Sequence, residues 1–381
     1  MRILVPLGTR PEIVKLAPVV AGLVRRGHDV RTIATGQHHD PALTESFFDD
    51  LGLLPDTRWT LPDGPGERLG AMLARAVDDL AGPGDRPDLV LLLGDTNTVP
   101  VFSLAARRAG VPLAHLEAGL RSRNETSIEE VNRKVAAACA SLHLAPTDLA
   151  ARFLAAEGIP PTRVRVVGNP VLDVLRDWGV TGRPAGERAG VVVTAHRATN
   201  VDDPVRLAAL DRIVRGLAER VGPVSFPVHP RTEGRLRDAG LYDTLAATPG
   251  VELTAPLPYR AMLDALAGAR LVVTDSGGLQ EEASWLGVPV VVLRRSTPRW
   301  EGVAAGTSVL TGMDPDLALA AAERLADPGE QARVAAVPCP YGDGRTAERV
   351  ADVLEEPGIT DLLALLEPDY TDGTWPDLPP A

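Results

Sequence analysis

The sequence predicts an α/β protein with two doubly wound parallel-sheet domains that face each other across a cleft. Short apolar runs alternate with stretches of helical period along most of the 381 residues. A Gly- and Pro-rich stretch at 181–186 divides this alternation into two series. In both series polar residues follow the apolar runs, as is typical of ligand sites at the carboxyl ends of parallel strands.

The first series is assigned to a domain of residues 1–180. Each predicted strand is an apolar run ended by Gly, Pro or polar residues, and the strands are 3–7, 30–34, 89–93, 112–116, 142–145 and 164–167. Apolar residues recur every three or four positions in the predicted helices, which are 12–25, 41–51, 68–80, 98–108, 129–142 and 148–157. Ser127 is the expected N-cap of the fifth helix.

The second series is assigned to a domain of residues 187–342. Its predicted strands are 190–195, 224–228, 251–254, 271–274, 288–293 and 309–311. The intervening helices are 204–221, 232–239, 259–267, 279–286, 314–326 and 329–336. A late helix at 346–354 is expected to cross back, so that residues 343–357 complete the first domain. The tail, 358–381, has an apolar patch at 362–366 and is expected to be loosely packed beyond it, where it becomes Pro-, Asp- and Gly-rich.

The composition limits the possible functions. A net charge of −12 without a block of basic residues argues against nucleic-acid binding. Cys139 and Cys339 are too few for a disulfide framework, and no His/Cys group has metal-ligand spacing. The short apolar N-terminus and the absence of an 18-residue apolar run predict a cytoplasmic protein that does not enter a membrane.

Residues 271–287, LVVTDSGGLQEEASWLG, combine a strand, a Gly-rich turn and a helix start. Free backbone N–H groups at the positive end of a helix bind phosphate, and Gly277 and Gly278 after Ser276 let an anion approach closely. The stretch therefore predicts a nucleotide site. The alternative is an ordinary helix start whose acidic residues suit the helix dipole.

Several carboxylates are expected at the mouth of the cleft in the first domain. Asp95 and Glu117 follow successive strands, and Glu129 and Glu130 open the next helix. Carboxylates that converge in a cleft shift one another's pKa values, which suits general acid/base catalysis. Alternatively, Asp95 is a helix N-cap, and Glu129 and Glu130 are first-turn acids.

Basic residues at the strand ends are candidates for holding a phosphate. Arg10 lies at the first strand-to-helix turn, where a guanidinium can contact a phosphate through two hydrogen bonds. Lys15 lies near the apolar face of the next helix, while His196 and His229 follow strands of the second domain. The alternatives are a solvated surface lysine and structural histidines.

Taken together, ten short motifs resemble those of one family, the non-hydrolysing UDP-N-acetylglucosamine 2-epimerases, whose fold is two Rossmann-like domains of the GT-B type. They occur in the family's order from residue 1 to about 355: GTRPE (8–12) with Lys15, TGQH (35–38), GDTNT (94–98), HLEAGLR (115–121), EEVNR (129–133), GN (168–169), TAHR (194–197), DSGGLQEEA (275–283), AGT (305–307) and PYGDG (340–344).

The resemblance implies roles for the matching residues. The acid/base carboxylates are Asp95, Glu117 and Glu129, and His196 joins them as a catalytic residue that also holds the diphosphate with Arg10. The remaining UDP-sugar contacts are Lys15, Gln37, Asn132, Arg133, His229, the phosphate-binding Ser276, Gly277 and Gly278, and the ribose-binding Glu282.

The implied reaction interconverts UDP-GlcNAc and UDP-ManNAc by eliminating UDP to 2-acetamidoglucal and adding it back with inversion at C2. A base removes H2, an acid returns a proton to the opposite face, and cations stabilise the departing UDP. No nicotinamide or metal cofactor is implied. The expected partners are the UDP-sugar and a second copy of the chain in a homodimer.

The sequence departs from the family pattern in three places. The family's His-Arg-x-Glu-Asn reads His196-Arg197-Ala198-Thr199-Asn200, and Thr-Glu-Arg-Pro-Glu reads Thr297-Pro298-Arg299-Trp300-Glu301. Trp300 either reshapes the sugar pocket or packs at a domain edge. Thr44 and Leu69 stand where many members have glutamines that bind an activating UDP-GlcNAc, so we expect no such activation.

Other functions remain open at this point. A hydrolysing 2-epimerase would share the elimination step, and an epimerase of a modified UDP-GlcNAc, such as a 3-acetamido or uronic acid derivative, would share the same acids. A GT-B glycosyltransferase needs no groups that remove and replace H2. A non-catalytic nucleotide-sugar sensor would follow if the departures had disabled the site.

Overall fold

The computed structural model describes residues 1–37, 48, 51–82, 86–367 and 371. It contains two β-sheets in which every strand pairing is parallel, with helices between successive strands. This confirms the predicted α/β class with two doubly wound layers. We call the elements around the first sheet the first half of the molecule and those around the second sheet the second half.

The first sheet has seven strands in the order β3-β2-β1-β4-β5-β6-β7. Their bounds are β1 Arg2–Leu7, β2 Asp29–Ala34, β3 Thr57–Arg58, β4 Leu89–Leu93, β5 Leu113–Leu116, β6 Leu142–Ala145 and β7 Val164–Val166. The inner strands β1, β4 and β5 are almost entirely buried, which is why they read as continuous apolar runs. The two-residue edge strand β3 was not predicted, because it has no pattern of its own.

Among the described residues, the helices that follow strands of this sheet are α1 Arg10–Arg25, α2 Pro65–Ala81, α3 Thr98–Ala109, α4 Ile128–Cys139, α5 Asp148–Ala156 and α6 Val171–Asp177. Helix α1 begins after Thr9 with Pro11 in its first turn, where a missing N–H is tolerated. Its predicted apolar positions are buried. Helix α6 was not predicted, and the predicted helix at 41–51 lies largely outside the described residues.

The second sheet has six strands in the order β10-β9-β8-β11-β12-β13, the strand order of a dinucleotide-binding fold. The strands are β8 Val191–Thr194, β9 Val224–Pro227, β10 Val251–Thr254, β11 Leu271–Thr274, β12 Val290–Val292 and β13 Ser308–Leu310. Its helices are α7 Ala198–Val201, α8 Pro204–Arg220, α9 Pro230–Asp238, α10 Tyr242–Ala246, α11 Tyr259–Gly268, α12 Gly277–Trp285, α13 Trp300–Ala304, α14 Pro315–Leu325 and α15 Pro328–Ala335.

The C-terminal segment returns to the first half. Helix α16, Thr346–Leu354, packs on α1, and Asp173 Oδ2 and Oδ1 accept hydrogen bonds from the backbone N–H groups of Thr346 at 3.0 Å and Ala347 at 2.8 Å. Helix α17, Ile359–Leu363, buries Ile359 and Leu363 at the start of the tail, and the segment expected to be loosely packed lies largely outside the described residues. Among the described residues, no helix is both long and apolar enough to span a bilayer.

Both sheets reverse their strand order at one point, between β1 and β4 in the first and between β8 and β11 in the second. A crevice forms at such a point beyond the carboxyl ends of the strands. The turn after β1 carries Arg10 and the turn after β4 carries Asp95. In the second sheet His196 follows β8 and Ser276 follows β11, so the predicted site residues lie at both reversal points.

Candidate active site

Asp95 is held at the end of β4 by two residues of helix α4. Arg133 donates from Nη1 to Asp95 Oδ2, and Asn132 Nδ2 donates to the Asp95 carbonyl oxygen over 2.8 Å. The N-cap of helix α3 is Asn97, which excludes the alternative that Asp95 caps this helix. The Asp95 side chain is 28% exposed, so its carboxylate is fixed by its partners but open to a ligand.

Glu117 is a buried carboxylate in an unusual backbone conformation. Its φ is 62°, in the left-handed region that residues with a side chain seldom adopt. Lys15 Nζ lies 2.5 Å from Glu117 Oε1, and Arg299 Nη2 lies 3.9 Å from the same oxygen. Glu117 therefore receives one cation from each half of the molecule.

Glu129 is half exposed, and a hydrogen bond from Ser127 at the start of the same helix holds its carboxylate. Ser127 occupies the N-cap position as predicted, but its hydroxyl donates to Glu129 Oε2 and accepts no hydrogen bond from a backbone N–H of the helix. Arg197 Nη1 of the second half lies 3.9 Å from Glu129 Oε1. Burial raises the pKa of Glu129, but the Ser127 hydrogen bond and Arg197 outweigh burial, so the pKa lies below its usual range.

Glu130 is buried, whereas the neighbouring Glu129 is half exposed. Its carboxylate accepts hydrogen bonds from the backbone N–H groups of Ser122 at 2.9 Å and Arg123 at 3.0 Å, and it pairs with Arg133. These contacts fix the loop before α4 and orient the same arginine that holds Asp95. Glu130 therefore positions its neighbours and is not a free acid.

Glu12 and Gln37 support the turns that carry the site. Glu12 Oε2 accepts from the Gly8 and Thr9 backbone N–H groups at 3.0 and 2.6 Å, and Oε1 accepts from Thr96 Oγ1 at 2.8 Å. Gln37 Oε1 accepts from Thr98 Oγ1 over 3.0 Å, so in this structure Gln37 joins two loops of the first half. His38, beside it in the motif, lies outside the described residues.

The Ser-Gly-Gly turn opens helix α12, as predicted, with Ser276 at the N-cap. The Ser276 backbone N–H donates to Thr274 Oγ1 over 2.9 Å, which fixes the turn. A Cβ atom on Gly277 would lie 3.3 Å from Arg299 Cζ, so a side chain here would crowd that arginine. Gly278 has open space around its Cα, which leaves room for a ligand.

Arg299 is a buried arginine that links the turn to the acids. Its Nε donates to Glu281 Oε1 over 2.7 Å, and Glu281 Oε2 accepts from Lys15 Nζ at 2.8 Å. Burial alone would lower the pKa of Arg299, but Glu281 and Glu117 outweigh burial and raise it. Lys15, Glu117, Glu281 and Arg299 thus form one buried ionic cluster that spans both halves.

His196 lies beside a carboxylate that shapes its loop. Its Nδ1 is 3.2 Å from Asp275 Oδ1, and Asp275 also accepts from the His196 and Arg197 backbone N–H groups. Asp275 is fully buried, and burial raises its pKa, but its hydrogen bond with His196 helps to hold the pKa below its usual value. The His229 ring lies 5.7 Å from the His196 ring, and its Nδ1 accepts from the Arg231 N–H as the N-cap of α9.

Arg10, Tyr259 and Glu282 form a second group at the interface of the halves. The Arg10 guanidinium lies 6.0 Å from the centre of the Tyr259 ring, and Tyr259 donates to Glu282 Oε1 over 2.9 Å. Glu282 Oε2 is buried and has no hydrogen-bond partner among the described residues. Burial raises the pKa of Glu282 to about 7. A buried acceptor without a partner suits a ligand that supplies hydroxyl donors.

Trp300 packs at the interface between the halves, as one of the two alternatives expected. Its indole Nε1 donates to the Arg121 carbonyl oxygen over 2.8 Å, and the neighbouring Glu301 accepts from the Thr147 hydroxyl. Trp300 and Glu301 therefore tie helix α13 to the first half.

The structure brings the predicted residues into one interdomain region. Arg299 Nη2 lies 3.9 Å from Glu117 Oε1, its guanidinium occupies the space that a side chain at Gly277 would need, and its charge also interacts with Asp95. Glu129 and His196 line one cavity between the halves. The motifs assigned no specific role to Glu281 or Arg299, because their contacts with Lys15 and Glu117 cross between the halves. Glu281 directly precedes the expected ribose contact Glu282, and Arg299 directly precedes Trp300.

Comparison with known proteins agrees with this geometry. A sequence model of the family described as UDP-N-acetylglucosamine 2-epimerase matches residues 23–355. The chain is 35% identical to a UDP-N-acetylglucosamine 2-epimerase of Methanocaldococcus jannaschii over 93% of this chain and 99% of that protein. It is 33% identical to the UDP-2,3-diacetamido-2,3-dideoxy-D-glucuronate 2-epimerase of Pseudomonas aeruginosa, over 93% of this chain and 99% of that one.

The fold agrees as well. The crystal structure of the M. jannaschii UDP-GlcNAc 2-epimerase in complex with UDP-GlcNAc and UDP superimposes with a TM-score of 0.80 at 32% identity, over 93% of this chain and 99% of that chain. The two sheets are thus the two Rossmann-like layers of a GT-B-type fold, as predicted. The chain belongs to the UDP-N-acetylglucosamine 2-epimerase family of isomerases.

Proposed function

We propose that the protein interconverts UDP-GlcNAc and UDP-ManNAc by inverting C2 of the sugar. The observation that carries this proposal is the convergence of three separately held carboxylates beside a phosphate-type turn. Asp95 is paired with Arg133, Glu117 with Lys15, and Glu129 with Ser127. Acids in different environments can hold different protonation states, which a reaction with one base and one acid requires.

In the elimination step, one of these carboxylates takes the proton from C2. The C2–H electron pair forms the C1–C2 double bond, and the C1–O bond breaks with its electron pair leaving on UDP. The product pair is UDP and 2-acetamidoglucal. In the return step a second carboxylic acid protonates C2 on the opposite face, and a β-phosphate oxygen of UDP attacks C1.

The departing UDP carries a charge that the second half is suited to hold. The proposed contacts are the backbone N–H groups of the Ser276-Gly277-Gly278 turn, with Arg10 and His196 on the diphosphate. Glu282 Oε2, a buried acceptor without a partner among the described residues, is proposed to accept from the ribose hydroxyls. The remaining proposed substrate contacts are Lys15, Gln37, Asn132, Arg133 and His229.

Retention of UDP until re-addition distinguishes an epimerase from a hydrolase. Contacts across the halves support retention, since the ionic cluster of Lys15, Glu117, Glu281 and Arg299 and the Trp300–Arg121 hydrogen bond hold the halves together beside Glu117. Halves held together around bound UDP would keep it beside the glucal for re-addition.

Proton NMR of the purified protein with UDP-GlcNAc in D₂O tests the proposal. The expected result is deuterium at C2 of both epimers, UDP-GlcNAc and UDP-ManNAc, with no accumulation of free UDP. Free UDP and N-acetylmannosamine would assign a hydrolysing enzyme. Absence of deuterium at C2, with a sugar transferred to an acceptor, would assign a glycosyltransferase.

Two further proposals concern the domain limits and the oligomeric state. We propose domain limits of 1–180 with 343–357 and of 187–342, supported by the packing of α16 on α1 and by the second sheet lying within the latter range. We also propose a homodimer, supported by the exposed Leu69 and Leu104 on the adjoining helices α2 and α3. Sedimentation equilibrium tests the dimer, and limited proteolysis tests the domain limits.

A further inference from the structure

A large cavity opens between the halves beside Glu129 and His196. Its volume is about 1570 Å³, more than a nucleotide-sized ligand alone requires. Its walls are the loop before α4, the carboxyl ends of β8, β12 and β13, and the first turns of α8 and α14. Glu129, one of the proposed acids, thus lines a cavity whose lining does not include the Ser-Gly-Gly turn.

The lining of this cavity is rich in cations, although the chain as a whole has a net charge of −12. Six arginines and four carboxylates line it: Arg123, Arg197, Arg206, Arg212, Arg294 and Arg295, with Glu129, Asp203, Asp314 and Asp316. Asp203 and Asp314 accept hydrogen bonds from backbone N–H groups as the N-caps of α8 and α14. The cavity is therefore suited to an anionic ligand.

Arg294 is the member of this lining whose surroundings point to a missing anion. It follows β12 and is half buried, and its Nη1 atom is fully buried without a hydrogen-bond partner among the described residues. A buried guanidinium N–H without an acceptor destabilises the protein unless a ligand supplies one. Burial, together with the neighbouring positive charges of Arg197 and Arg299, lowers the pKa of Arg294 to about 9.

Arg197 is fixed next to Arg294. Its Nε donates to the Asp275 carbonyl oxygen over 3.0 Å, and its Nη1 lies 3.9 Å from Glu129 Oε1. Arg197 and Arg294 thus both interact electrostatically with Glu129, one of the proposed acids. An oxyanion that contacts Arg294 would sit within reach of the reacting sugar.

We infer that Arg294, with Arg197 beside it, forms an anion subsite that binds an oxyanion of the nucleotide-sugar. The inference rests on the proposed function and names a contact that the motifs do not assign. Two groups of a UDP-sugar have this chemistry. One is the β-phosphate, which becomes the leaving group, and the other is a carboxylate at C6 of a uronic acid sugar.

The test compares the full-length chain with Arg294→Gln. Calorimetry gives the Kd of UDP, and coupled assays give kcat/KM for UDP-GlcNAc and for the same nucleotide-sugar with a C6 carboxylate. If the subsite holds the β-phosphate, the Kd of UDP should rise about tenfold or more, as expected for loss of a charge-assisted hydrogen bond. If it holds a carboxylate, the Kd should stay within about twofold of wild type, while kcat/KM for the uronic acid substrate alone falls about tenfold or more.

An unchanged Kd of UDP, together with equal effects on the two sugars, would overturn the subsite. Arg294→Lys should restore part of the loss, because it keeps the charge but not the forked geometry. Arg270→Gln is the matched control, since Arg270 precedes β11 at the opposite end of the same sheet and should leave every value unchanged.

Failure of this inference can be distinguished from failure of the proposed function. If the wild-type protein incorporates no deuterium at C2, the proposed reaction is wrong. The Kd of UDP for wild type and Arg294→Gln would still show whether Arg294 binds the β-phosphate. If the wild type exchanges deuterium and Arg294→Gln binds UDP and handles both sugars as wild type does, only the subsite is wrong. Thermal unfolding of each variant identifies a loss that is due to misfolding.

Discussion

Lys15 and Glu281 form a buried ion pair of 2.8 Å that joins helix α1 of the first half to helix α12 of the second. Glu117 and Arg299 complete the cluster, so two positive and two negative charges balance within it. Because a charge removed from water requires a partner, this cluster specifies how the halves meet as well as how Glu117 is held.

Replacing Lys15 with Met should destabilise the protein strongly. The change leaves Glu117 and Glu281 with Arg299 as their remaining partner in the cluster, and loss of one member of a buried pair typically costs about 3–5 kcal/mol. Urea unfolding would measure the loss. Arg26→Met is a matched control, because Arg26 pairs with Asp352 and Glu355 on the surface, where ion pairs contribute about 0–1 kcal/mol.

The double variant Lys15→Met/Glu281→Gln separates pairing from packing. If the two residues act through their ion pair, it should be less destabilised than the sum of the single variants. Strict additivity would contradict the coupling between the halves.

Asp95→Asn should abolish deuterium exchange at C2 and leave UDP binding unchanged. Asparagine keeps the size of the side chain and can still accept from Arg133, but it cannot take or return a proton. Loss of a general acid or base lowers a rate about 10²–10⁴-fold. NMR exchange and UDP calorimetry on the same preparation measure both effects.

Asp88→Asn is the control for Asp95, because Asp88 is an exposed partner of Arg2 at the start of β1. It should exchange deuterium at the wild-type rate. Unchanged exchange in Asp95→Asn would remove Asp95 from the mechanism.

Ionisation of Glu12 should lower the free energy of unfolding as the pH rises from about 4.5 to about 7. Burial raises the pKa of Glu12 from 4.5 to about 7, against the opposing hydrogen bond from Thr96. In this window the folded protein keeps a proton that the unfolded chain has released, so the free energy of unfolding falls with rising pH, by about 3 kcal/mol at most. Glu12→Gln should remove this part of the pH dependence.

Urea unfolding of wild type and Glu12→Gln at pH 5 and pH 7.5 gives the comparison. The drop between the two pH values should be smaller in the variant. Glu323→Gln, which changes an exposed carboxylate on α14, should keep the wild-type drop. An equal drop in all three proteins would show that Glu12 does not keep its proton near neutral pH.

The rate should depend hyperbolically on UDP-ManNAc without added UDP-GlcNAc. Thr44 and Leu69 replace glutamines that many relatives use to bind an activator; Thr44 lies outside the described residues, and Leu69 is 46% exposed on α2. Initial rates with UDP-ManNAc alone test this expectation. A strict requirement for UDP-GlcNAc would contradict it.

The positions of individual site residues followed from local sequence. Apolar runs that end in polar or glycine residues correctly predicted that Asp95 and Ser276 lie just after strands. Parallel strand order then brought these ends together at the reversal points. The same reasoning missed β3 and α6, because elements of two and seven residues are too short for a period to show.

The pairing between halves could not be read from the sequence. Glu281 and Arg299 are 18 residues apart and meet Lys15 and Glu117 only when two sheets face each other in one particular way. No periodicity within a helix or strand carries that information. The capping role of Ser127 was also mistaken in part, because its hydroxyl is directed to Glu129 by a rotamer choice that the sequence does not specify.

The backbone of Glu117, with φ at 62°, has a consequence for the engineering of this protein. A left-handed conformation costs a non-glycine residue about 1 kcal/mol or more, and glycine would adopt it without that cost. Local backbone preference at this position therefore favours glycine, whereas the buried ion pair with Lys15 favours the carboxylate. Because loss of one member of a buried pair typically costs about 3–5 kcal/mol, a library screened for heat resistance alone should retain Glu117 in spite of its backbone conformation.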